Sequence, residues 1–258
     1  MKRDILVAIY SEDSYVLDWM SLLVVRDWRT RMVAELTNSA EVSDLLSKEL
    51  LMCDGIVLDI DNISDLRQVG KEIGNSKTDL KIIGLCRNSR PDFFKYLPES
   101  NIAGVLYKSE VATSLGWAIT FAAEGKPVFT TSGLEDAWNA NFPVPKTRMV
   151  LQSRSYPGLT DRQSEIARLA IIFSIGRRDL ADELQISDQW SYGVVSELYD
   201  HLGLGALLDE NQDFNSIIEK DPVIKSHIDE ILEDLGTSKK ARDLETLAFH
   251  LLTMPVIE

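Results

Sequence analysis

Short apolar runs of strand length alternate with amphipathic stretches through the first half of the chain. Ile5–Tyr10 is a continuous apolar run, and Asp54–Asp59, Leu80–Leu85 and Ile102–Tyr107 repeat the theme. Runs this short and this unbroken fit parallel strands covered on both faces. Amphipathic patterns lie between them, near residues 14–25, 39–50, 63–74, 90–97 and 109–124. Strand–helix alternation at this spacing predicts an α/β domain over residues 1–126, a five-stranded parallel sheet with helices on both faces. In such sheets the functional site lies at the carboxyl ends of the strands.

The second half reads differently. Residues 127–157 hold Pro127, Pro143, Pro145 and Pro157 and read as a linker with one short helix near 133–139. Within residues 158–206, Thr160 is placed to cap a helix and Gln163 to complete a capping box. A second helix is expected over Arg177–Leu184, and a third from a Ser187 cap to about His201, before the Gly203 stop. Short helices joined by short turns fit an all-α helix-turn-helix bundle. Residues 207–258 read as a helical C-terminal extension, with helices over Asp213–Lys220, Pro222–Leu235 and Ser238–Leu252. Ile224, Ile228, Ile231, Leu232 and Leu235 mark one apolar face, and Leu244, Leu247, Ala248 and Leu251 another. Such stripes cover a neighbouring core or a dimer partner; packing on the bundle is expected.

Charge and composition narrow the function. The 258 residues carry a net charge of −14, which opposes nonspecific attraction to nucleic acid or anionic lipid. Residues 156–206 hold four basic against eight acidic residues, so the helix-turn-helix region is itself acidic. No apolar run is long enough to span a membrane, and the N-terminal run lacks the pattern of a signal peptide; a cytoplasmic protein is expected. Cys53 and Cys86 make neither a disulfide framework nor a paired-thiol metal site, and the three histidines lack ligand spacing. With no nucleophile–base pair, P-loop or metal cluster in the sequence, an enzyme is not expected.

The strand ends carry the chemistry. Strand one ends near Tyr10, followed by Ser11, Glu12 and Asp13; the third ends at Asp59, the fourth at Cys86 and the fifth at Lys108. An Asp and a Lys at the mouths of the third and fifth strands, with the segments Asp54–Asp59, Gly104–Lys108 and Ala122–Thr130, resemble the flavodoxin-like receiver domain of bacterial response regulators over residues 3–125. The resemblance implies that Asp59 stands at the phosphoacceptor position, with Lys108 and Cys86 at phosphoryl-contact positions. Receivers place two adjacent acids at the end of strand one to hold Mg²⁺; Ile9 and Tyr10 stand there and offer no oxygen ligand of that kind. Mg²⁺ binding is therefore expected to be weak at most, and no other cofactor is expected. Two readings of the following acids stay open: Glu12 and Asp13 stand in as ligands beside Asp59, or Ser11 caps the next helix and both acids favour its dipole. Asp59 is correspondingly a phosphoacceptor or an acid paired with Lys108. Cys86 beside a lysine is a reactive thiolate or a small packing residue.

Leu159, Thr160, Arg162, Glu165, Leu180, Ala181, Leu184, Ile186, Ser187, Leu198, Tyr199, Leu202 and Gly203 resemble the LuxR-type helix-turn-helix of the NarL/FixJ response regulators, with one extra residue near Phe173–Gly176. Receiver followed by LuxR-type domain is that family's order. The resemblance implies a dimeric transcription regulator, with Arg177, Arg178, Gln189, Trp190 and Tyr192 at DNA-contact positions. From Asp188 to His201, however, there is no Lys or Arg, and Asp188, Glu197 and Asp200 are acidic. Phosphate neutralisation needs basic residues, so DNA binding is expected to be weak or unorthodox. A protein partner that this module meets without DNA is the alternative.

Overall fold

The computed structural model describes residues 4–47, 53–76, 79–154, 156, 159–204, 222–235 and 241–258. The chain forms two compact units, one of residues 2–154 with 255–258 and one of residues 155–254.

The first unit opens with β1 (Ile5–Tyr10), α1 (Ser14–Arg26), β2 (Thr30–Leu36), α2 (Ser39–Ser47), β3 (Gly55–Asp59), α3 (Leu66–Ser76), β4 (Lys81–Cys86), α4 (Asp92–Tyr96) and β5 (Ile102–Tyr107). All five strands are parallel, in the flavodoxin-like order β2-β1-β3-β4-β5. Val7–Tyr10 of β1 and Ile56–Leu58 of β3 are buried, as befits central strands covered on both faces. β2 lies at the sheet edge and exposes Arg31 and Glu35, so it lacks the unbroken apolar run of its neighbours. The expected helix near 109–124 is divided into α5 (Lys108–Val111) and α6 (Leu115–Ala123). The break falls at Ala112, whose φ of 45° no helix residue adopts.

Most of the expected linker, residues 127–152, is instead built into the first unit. It contains β6 (Val128–Phe129), α7 (Thr131–Asn139) and β7 (Met149–Gln152), with β6 pairing parallel to β5 and β7 parallel to β6. β8 (Val256–Ile257) then adds antiparallel to β7, with Leu151 opposite Ile257 and Gln152 opposite Val256. Val150 and Glu258 exchange N–H···O bonds of 3.0 and 3.2 Å. Among the described residues the sheet thus has eight strands rather than the expected five. Two glycines permit the extension. The Val128 carbonyl occupies the place where a Cβ of residue 104 would stand, so β6 can lie against β5 only at Gly104. The Val105 carbonyl does the same at Gly133, which lets α7 approach β5. Strands of two and four residues carry too little periodicity to be recognised, and the prolines flank them.

In the second unit α8 (Asp161–Ala167) begins with the expected capping box, Gln163 N–H donating to Thr160 Oγ1 at 3.3 Å and Thr160 N–H to Gln163 Oε1 at 2.9 Å. It runs into a π-helical turn over Arg168–Ile172, which absorbs an additional residue. α9 (Arg177–Leu184) ends at Gln185 in the left-handed region, and Ser187 caps α10 (Asp188–His201). α11 (Pro222–Leu235) and α12 (Ala241–Thr253) follow; the helix expected over Asp213–Lys220 lies outside the described residues. α12 packs against α11 and the π-helical turn, and Ser174 Oγ donates to Glu245 at 2.7 Å. Ile228, Ile231, Leu247, Ala248 and Leu251 are buried, so these parts of the two stripes are covered within the chain.

Candidate phosphoacceptor site and helix-turn-helix surface

The parallel sheet brings Asp59, at the end of β3, and Lys108, just past β5, to one place. Lys108 Nζ lies 2.5 Å from Asp59 Oδ1 and 3.0 Å from Asp61 Oδ2. The other Asp59 oxygen, Oδ2, accepts from Ser11 Oγ at 2.8 Å and from Asn62 Nδ2 at 2.7 Å. Asp59 is 0% exposed, so this set of donors is what makes its burial tolerable. Asp61, on the one-turn helix Ile60–Asn62, also accepts the Arg87 backbone N–H at 2.6 Å. A single ammonium thus neutralises two carboxylates, the task a bound cation would perform.

Ser11 and Asn62 were not expected at this site. Ser11 does not cap α1: Asp13 does, accepting from Tyr15 N–H at 2.9 Å and Val16 N–H at 3.4 Å. Ser11 Oγ accepts from Asp13 N–H at 3.1 Å while donating to Asp59, so it joins the helix start to the acid. Glu12 is held by Tyr10 Oη at 2.7 Å and by the Ser64 N–H and hydroxyl at 3.0 and 2.9 Å. Burial pushes the Tyr10 hydroxyl well above its ordinary range, and the Glu12 carboxylate adds to that rise. Ile9 and Tyr10, at the positions of the receiver acids, are buried. Among the described residues no group of three or more His, Cys, Asp or Glu is arranged to hold a metal ion. Glu12 and Asp13 therefore do not assemble with Asp59 into a ligand set.

Cys86 is buried and directs its thiol to the Leu106 carbonyl at 3.8 Å. Burial pushes the thiol up to about 12, with Asp61 and Asp136 adding to the rise and Lys108 and Arg90 opposing it. A lysine neighbour alone suggests a thiolate, but here desolvation outweighs it. Beside it, Asp136 of α7 accepts from Tyr107 Oη at 2.8 Å and Ser89 Oγ at 2.6 Å. These bonds fasten the added helix to the carboxyl ends of β4 and β5.

In the second unit Arg178, Gln189, Trp190 and Tyr192 are exposed and Arg177 half-exposed. Trp190 and Tyr192 are 65% and 63% exposed, while Ser191, Val195 and Leu198 of the same helix are buried. The exposed side of α10 carries Asp188, Glu197 and Asp200 and no cationic Lys or Arg.

The first unit is a flavodoxin-like sheet with an acid–lysine pair at its strand ends, and the second holds helices of helix-turn-helix type. No protein-family profile matches the sequence, and no curated protein does. Among solved structures the chain is similar to the RcsB response regulator of Salmonella typhimurium, at 19% identity and a TM-score of 0.45, over 78% of this chain and 93% of that one. The isolated REC domain of RcsB from Salmonella enterica serovar Typhimurium matches at 21% identity and a TM-score of 0.45, over 52% and 99%. The receiver domain of the response regulator NarL from Mycobacterium tuberculosis matches at 17% and 0.42, over 48% and 99%.

Proposed function

We propose that this chain is a transcription regulator of response-regulator type that works without phosphorylation of Asp59. The observation that carries this reading is the pairing of that buried carboxylate: Oδ2 accepts from Ser11 and Asn62, and Oδ1 meets the Lys108 ammonium. Phosphoryl transfer needs a free carboxylate oxygen in line with the donor and a divalent cation to gather the phosphoryl charge. Here the oxygen is engaged, and the lysine supplies the positive charge from within the chain. The test is incubation with acetyl phosphate and Mg²⁺ followed by intact mass. No adduct is expected; a stoichiometric phosphate adduct that Asp59→Ala abolishes would refute the reading.

A second reading is that the output module meets a protein rather than DNA, and the acidic exposed side of α10 favours it. Arg177 and Arg178 supply about two phosphate contacts, for a salt slope of roughly −2. Fluorescence anisotropy with the chain's own upstream DNA against scrambled duplex, across a salt series, separates the two. Nanomolar sequence-specific binding with a steep slope returns the module to DNA.

A further inference from the structure

The first unit holds a cavity of about 610 Å³ at the amino ends of β4, β5 and β6, the opposite end of the strands from Asp59. Small-molecule sites run from roughly 300 to 1,000 Å³, so this one has the size of a ligand pocket. Ile102 and Ala103, the first residues of β5, line it together with Ala122 of α6. The extension of the sheet supplies Pro127, just before β6, and Phe142, Pro143 and Pro145 from the loop between α7 and β7. The cavity is therefore a product of the added strands.

The prolines suit an open wall. A proline nitrogen carries no hydrogen to satisfy and its ring fixes φ, so the loop neither needs a partner for those donors nor folds readily into the space. The loop is also anchored: Phe142 N–H donates to the Ala137 carbonyl at 2.8 Å, Arg148 N–H donates to the Pro145 carbonyl at 3.2 Å, and the Phe142 ring meets Phe94 with centroids 5.1 Å apart. Among the described residues that line the cavity, Lys81 and Glu99 carry charge. Glu99 and its neighbour Ser100 are exposed and form part of the rim. Lys81 is only 31% exposed, and its ammonium meets Asp79 at 2.7 Å, an acid that is itself 90% exposed. An ion pair with so exposed a partner contributes little, and the flexible lysine stem can exchange Asp79 for a better shielded anion.

We propose that this cavity binds a small amphipathic monocarboxylic acid, its apolar body against Ala103, Ala122 and Phe142 and its carboxylate on the Lys81 ammonium. A single charge fits better than two, because a second carboxylate would approach Glu99 at the rim. An amine fits less well, since its partner would be that exposed acid, where water screens the attraction. A nucleotide or phosphosugar fits poorly too, because its many polar groups would lie against proline and alanine without hydrogen-bond partners. The site is remote from Asp59 along the strands and does not depend on whether that acid takes phosphate.

The experiment titrates the full chain with phenylbutyrate and octanoate, beside the neutral phenylbutyramide and the cationic phenylbutylamine, by calorimetry. The acids are expected to bind with a Kd on the order of 0.1–1 mM, as suits about a dozen non-hydrogen atoms. The amide, with the same body and no charge, should bind roughly three- to tenfold more weakly. Lys81→Met should bring phenylbutyrate down to the affinity of the amide, and Lys81→Arg should retain the preference. Ser100→Trp, which sets a large ring at the exposed rim, should weaken binding of all these probes roughly tenfold or more while circular dichroism stays unchanged. Lys71→Met, on the exposed side of α3, should change nothing. Hydrogen exchange in residues 140–148 should slow when the acid saturates the site. No binding of either acid at about 10 mM overturns the proposal. So does equal affinity for acid and amide, or acid binding untouched by both Lys81→Met and Ser100→Trp. Phenylbutylamine that binds tightest and is lost in Glu99→Gln overturns it in favour of a cationic ligand.

Discussion

Replacing Lys108 by methionine tests whether the Asp59 site is a closed ion cluster. The substitution keeps the length of the side chain and removes only the ammonium. Two contacts disappear, those of 2.5 Å to Asp59 and 3.0 Å to Asp61. Removing one partner of a buried pair costs about 3–5 kcal/mol, because the remaining charge stays desolvated. Two features reduce that figure here. Lys108 keeps 18% of its side chain exposed, and Asp59 retains its bonds from Ser11 and Asn62. A loss of about 2–4 kcal/mol in the first unit is therefore expected near neutral pH. Asp59→Asn alone should also destabilise. The double substitution should cost less than the two single losses combined by about 1–3 kcal/mol, since position 59 then holds no buried charge without its partner and only Asp61 loses the lysine. Urea unfolding followed by circular dichroism, fitted with a transition for each unit, measures all three variants. A change below about 0.5 kcal/mol in Lys108→Met would show that the lysine does not hold the acid. The argument against phosphorylation would then lose its footing.

Other substitutions address separate parts of the molecule. Gly104→Ala should cost about 2–3 kcal/mol by driving a Cβ into the Val128 carbonyl, with hydrogen-exchange protection lost in β6 and β7 before β1 and β3. Gly193→Ala should instead raise helix stability by about 0.5–1 kcal/mol, as its Cβ enters open space. Cys86 and Cys53 have thiols raised from 9.0 to about 12 and about 11, so Ellman's reagent at pH 8 should react slowly with native protein and with both thiols in urea. The raised folded value places the stabilising contribution of Cys86 below pH 9, and it should fade as pH rises from there towards 12; the fall in urea midpoint should be smaller in Cys86→Ala.

What could be read from the sequence followed from how each element is built. β1 and β5 were legible because buried parallel strands are continuous apolar runs, and α8 and α10 because the Thr160 and Ser187 caps mark their starts. β2 escaped because Arg31 and Glu35 interrupt its apolar residues at an exposed sheet edge. β6, β7 and β8 escaped because their identity lies in pairing rather than in pattern; the glycines at 104 and 133 are the trace left in the sequence. At the site, the Asp59–Lys108 pair was visible from its place at two strand ends. Ser11 was visible as a capping residue but assigned to the wrong task, because Asp13, two residues later, caps as well and only the helix start decides between them. Asn62 required knowing that the chain turns tightly after β3.

The placement of β7 and β8 makes the helical unit the loop of a hairpin. Gln152 and Val256 are ladder partners, and everything from 153 to 255 is the connection between them. Closing a loop costs entropy that grows with the logarithm of its length, so a disordered connection of this size opposes the β7–β8 pairing by about 3 kcal/mol more than a tight turn. A folded helical unit meets that cost in advance by holding its own ends together. Melting the helices should therefore loosen the sheet edge formed by β7 and β8. Splicing β7 to β8 through a short turn should make that edge indifferent to them.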